Sequence, residues 1–72
     1  AHCHEVQLHR HGKTYRCVSE KPGEIMLINP NHEVIKASVS GDGQFTSKDN
    51  RAKHPYVLSL IEDSLLALGL RP

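Results

Sequence analysis

The sequence predicts an α+β fold in two layers, a four-stranded antiparallel β-meander packed on one C-terminal α-helix. Three observations carry this. Apolar and polar residues alternate on both sides of His11-Gly12, two further turn clusters separate two more short apolar runs, and the tail reads as an amphipathic helix between Pro55 and Gly69.

The first hairpin is the strongest local signal. Val6 and Leu8 alternate with polar residues before His11-Gly12, and Tyr15 and Cys17 alternate after it. A two-residue loop puts Leu8 opposite Tyr15 and Val6 opposite Cys17, with all four on one face. At Lys21-Pro22-Gly23-Glu24, proline presets the first central position of a type II turn and glycine supplies the positive φ of the second. A third strand then runs to Ile28, and Asn29-Pro30-Asn31-His32 turns the chain into a fourth. With two-residue loops at both turns, Val6, Leu8, Tyr15, Cys17, Met26, Ile28, Ile35, Ala37 and Val39 share the face that meets the helix. Gln44 to Thr46 forms a short edge segment at most, inside a polar connection.

Pro55 suits a first helical position, and Gly69 followed by Leu70 and Pro72 fits a Schellman-type stop. Val57, Leu58, Leu60, Ile61, Leu65, Ala67 and Leu68 cover one broad side of that helix, while Leu66 points away from it. The 72 residues form a single small domain, with the sheet over about 4–39, a connection over 40–53 and the helix over about 55–68.

Composition narrows the function classes. Nine Lys+Arg against eight Asp+Glu give a net charge of +1, which names no polyanionic partner. No apolar run approaches the roughly 20 residues of a membrane helix, and the first ten residues do not read as a signal peptide, so a soluble cytoplasmic protein is expected. Glu62 and Asp63 diverge on the helix, and there is no GxSxG turn or phosphate-binding glycine loop, so the sequence points away from an enzyme.

Three surfaces are candidates for binding. The same registers leave Val18, Leu27 and Val34 in a row on the face away from the helix, with Ile25 diagonal to them. A contiguous apolar patch there marks contact with a protein partner or with a second copy. Arg10, Lys13 and Arg16 on the first hairpin, with Lys48, Arg51 and Lys53 before the helix, offer an alternative nucleic-acid surface. The amine of Ala1 with His2, Cys3 and His4 offers a second alternative, a copper or nickel site at the terminus; otherwise no cofactor is expected. His4 and His9 lie about 16 Å apart on an extended strand, too far to share an ion. The strand parity places Cys17 in the core and Cys3 on the opposite face, so the two are expected as free thiols.

Overall fold

The computed structural model describes residues 4–71. The chain runs through β1 (His4–Arg10), β2 (Lys13–Ser19), β3 (Glu24–Ile28), β4 (Val34–Val39) and β5 (Phe45–Thr46), then a 3-10 turn (Asn50–Lys53) and α1 (Pro55–Ala67). The strands pair antiparallel in sequence order. The fold is α+β as expected, with the short edge segment realised as a fifth strand.

The first hairpin has the expected register, Leu8 opposite Tyr15 and Val6 opposite Cys17. His11 and Gly12 both adopt positive φ, 53° and 73°, the combination a type I′ turn needs to match the twist of the strands. The helix ends are also as expected. His54 caps the N-terminus, its Nδ1 accepting from the Tyr56 N–H at 3.2 Å, and Pro55 opens the first turn. At the other end Gly69 has φ 74°, the Leu70 N–H donates to the Leu65 carbonyl at 2.9 Å, and the Gly69 N–H donates to that of Leu66 at 3.1 Å. This double bond pattern is the Schellman motif.

The strand β3 is turned over relative to expectation. Cys17 faces Leu27 and Val18 faces Met26, while Leu27 faces Ile35 and Ile28 faces Val34. Each register is one residue off the one a two-residue loop dictates, so Ile25 and Leu27 enter the core whereas Met26 and Ile28 leave it. The cause lies in the turns. The Lys21–Glu24 turn forms, with a 3.2 Å bond from the Glu24 N–H to the Lys21 carbonyl and φ 81° at Gly23. Type I and II turns splay the strands of a two-residue hairpin, so the ladder does not close on this turn. Ser19 bridges its mouth instead, its hydroxyl donating to the carbonyls of Glu24 and Lys21, at 3.0 and 3.3 Å. After β3, the His32 N–H donates to the Asn29 carbonyl, the Asn29 N–H donates to that of Glu33, and His32 takes φ 69°. Pro30, Asn31 and His32 thus make a three-residue loop, a turn followed by one left-handed residue. Two odd-length loops flip β3 and restore β4, which is why Ile35 and Ala37 keep their expected face.

The core joins Leu8, Tyr15, Cys17, Ile25, Leu27, Ile35 and Ala37 of the sheet to Leu60, Ile61 and Leu65 of α1 and to Ala52 of the 3-10 turn. The rotation of α1 is as expected, with Leu65 0% and Leu66 53% exposed, although Ala67 is exposed rather than packed. Ser64 takes a core position, its hydroxyl satisfied by the Leu60 carbonyl at 2.7 Å. The tail after Gly69 is tied back to the sheet: Arg71 donates twice to the Gly43 carbonyl, at 2.7 and 3.0 Å, and lies over the Phe45 ring. Among the described residues no helix is long and apolar enough to cross a membrane.

Candidate binding surface

The outer face of the sheet, opposite α1, is built from two cross-strand rows. One runs Glu5, Val18, Met26, Lys36 and the other Gln7, Arg16, Ile28, Val34. Val18 and Met26 of the first row and Ile28 and Val34 of the second are apolar neighbours, flanked by Arg16 and Lys36, where an exposed face ordinarily reads polar. Val18 is 6% exposed and sealed by its neighbours, whereas Val34 stands 40% exposed and Met26 and Ile28 are half-buried. An open groove of about 650 Å³ runs along this face. It is lined by Val18, Met26 and Val34, with Glu20, Glu24, Lys36 and Lys48 among its charged neighbours.

The expected contact residues therefore divide. Val18 and Val34 lie on the outer face as expected; Ile25 and Leu27 do not, because β3 is turned over, and Leu27 is 0% exposed in the core. Met26 and Ile28 take their places. A signal for this was present in the sequence, since a turn begun by Pro22 or Pro30 has the wrong twist to close a two-residue hairpin.

The basic residues are dispersed. Arg10 pairs with Asp63 at 2.8 Å beside the helix, while Arg16 forms a two-pronged bond with Glu5 on the outer face, at 2.7 and 2.9 Å. Arg51 pairs with Asp49 at 2.7 Å and Glu33 at 2.8 Å, and donates to the Val34 carbonyl. These three arginines are engaged in the fold, and Arg10 and Arg16 project to opposite faces of the sheet. Lys13 stands opposite Arg10, Lys48 lines the outer groove and Lys53 ends the 3-10 turn. The six positions do not form one basic surface.

The pairings tune the acids involved. Arg16 holds the Glu5 carboxyl below the usual carboxylate range, chiefly through its hydrogen bonds. The Arg51 side chain, then its backbone N–H, does the same for Asp49. Burial pushes the Cys17 thiol up, against a smaller opposing effect of its hydrogen bond with Ser64, so this thiol is a poor nucleophile. Cys17 is a buried free cysteine.

Of the terminal metal-site candidates, Ala1, His2 and Cys3 lie outside the described residues, and His4 opens β1. Among the described residues no three His, Cys, Asp or Glu side chains come together as metal ligands. A second, smaller cleft of about 320 Å³ lies by the helix N-terminus between Asn29, Ile35, Arg51, His54, Tyr56 and Val57. In comparisons with protein families, curated proteins and solved structures, no family model, curated protein or solved structure matches the chain.

Proposed function

We propose that the chain is a small, non-enzymatic binding module that docks a protein partner through the outer face of its sheet. The observation that carries this reading is the apolar block of Val18, Met26, Ile28 and Val34 on the face that α1 leaves uncovered, beside an open groove. A partner with an apolar segment gains burial against Met26, Ile28 and Val34. Lys36 and Lys48 at the groove are suited to carboxylates on that segment, since among the described residues neither is in an ion pair. A buried Cys17 without a disulfide suits a cytoplasmic setting. Nucleic acid is the weaker reading, because Arg10, Arg16 and Arg51 are already spent on Asp63, Glu5, Glu33 and Asp49.

The test is site-specific photo-crosslinking in the source cell from position 34, with position 66 on the solvent side of the helix as the control. A discrete protein adduct from position 34, absent from position 66 and lost when Ile28→Lys is added, is the expected result. Equal labelling from both positions, or an adduct insensitive to Ile28→Lys, overturns the reading.

A further inference from the structure

The sheet ends at β1, a seven-residue edge, while the opposite edge, β5, has two residues. All seven residues of β1 pair with β2 without a bulge, and the strand contains no proline, so neither of these two devices blunts the edge. In an antiparallel pair, alternate residues direct both backbone groups to the partner and the rest direct them away. Because Arg10 and Lys13 flank a two-residue loop, Arg10, Leu8, Val6 and His4 bond to β2, and Glu5, Gln7 and His9 present N–H and C=O to the open side. The His9 carbonyl also accepts from the Arg10 guanidinium at 2.9 Å.

We infer that this edge is the pairing site for a second copy of the chain, antiparallel and two-fold symmetric about Gln7. From Glu5 to His9 the sequence of β1 is self-complementary in that register, which is also the longest one available. Gln7 meets Gln7 of the second copy, Glu5 meets its His9, and each of these facing pairs has both backbone groups directed at the other. On the outer side the register sets a carboxylate against an imidazole, with Arg16 already holding Glu5 in place. On the helix side Val6 meets Leu8 of the second copy in a pair of the closer, non-hydrogen-bonded kind. Val6, only partly buried in one copy, thereby gains an apolar neighbour and the two cores become continuous. Arg10 meets His4 at the ends. On the helix, Ser59 and Ala67, one turn either side of the Arg10 partner Asp63, are short and exposed. Such an interface is isologous and closes at two copies, leaving only the short β5 edges at its ends.

Sedimentation of the full chain across micromolar to millimolar concentration tests this. A monomer–dimer equilibrium is expected, and Gln7→Pro is expected to weaken it by about tenfold or more, because proline removes an outward N–H and leaves the bonds to β2 in place. A parent chain that stays monomeric throughout, or a Gln7→Pro variant that dimerises like the parent, overturns the proposal. Gln7→Cys in a Cys3→Ser background guards against misfolding of the proline variant. Facing residues at the two-fold lie within disulfide range, so mild oxidation is expected to give a covalent dimer, while Lys36→Cys in the same background gives none. Failure of Gln7→Cys to cross-link counts against the edge. The outer-face reading is separable: Ile28→Lys is expected to leave dimerisation unchanged, and if it abolishes the dimer while Gln7→Pro does not, self-association belongs to the outer face and not to β1.

Discussion

The orientation of β3 has the largest consequences, and truncating its side chains one at a time tests it. Leu27 is 0% exposed and sits between Cys17 and Ile35 beneath α1, so Leu27→Ala removes buried carbons at a place enclosed by both layers. The transfer and cavity contributions together are expected to cost about 2–5 kcal/mol. A domain of this length has about 4–11 kcal/mol of stability in all, at the usual 0.05–0.15 kcal/mol per residue, so this one change removes a large share. With about 4–8 °C lost per kcal/mol in so small a domain, the midpoint of thermal unfolding should fall by roughly 10 °C or more. Met26→Ala and Ile28→Ala act on half-buried side chains of the outer face and should each cost about 1 kcal/mol, a few degrees. Leu27→Lys places an unpaired charge in the core at a cost of several kcal/mol and should leave the chain largely unfolded, whereas Ile28→Lys should fold. Thermal and urea unfolding followed by circular dichroism provide the comparison. If Met26→Ala or Ile28→Ala proves as damaging as Leu27→Ala, β3 faces the other way and the outer surface described above is wrong.

Two further outcomes follow from local geometry. The Asp49 carboxyl is held below its ordinary range by Arg51, so its contribution is fully present above the unfolded carboxylate value near 3.9 and is lost as pH falls through the lower folded value. Asp49→Asn should flatten the acid limb of a melting-temperature series between pH 2 and 6 and leave the neutral region nearly parallel to the parent; an unchanged acid limb would dissociate Asp49 from it. Gly69→Ala puts a Cβ at φ 74°, with no neighbouring atom in the way, so the cost is conformational alone, about 1 kcal/mol, readable as a drop of a few degrees in melting temperature. A neutral result there would mean that the helix does not end in the left-handed residue.

Wherever the information is local, it is legible in the sequence. His11-Gly12 fixes a loop length, and the loop length fixes the register of β1 on β2. Pro55 and Gly69 mark the helix ends, and the helical period separates Leu65 from Leu66. What the pattern of β3 does not decide is which way it faces. Glu24-Ile25-Met26-Leu27-Ile28 is apolar at four successive positions, so alternation gives no parity, and the choice passes to turns at either end. Those turns depend on how the twist of Pro22-Gly23 and the left-handed His32 fit strands that are already paired elsewhere, with Ser19 and the Val39 N–H bond to the Gly23 carbonyl closing the gap. Ion pairs behave the same way: Arg10 with Asp63 and Arg51 with Glu33 join residues remote in sequence, so a basic set that looks continuous along the chain is taken apart by folding. Local propensities act within a few residues and set the elements, but the direction a side chain faces, and the charge it meets, are decided by the neighbours that tertiary structure brings to it.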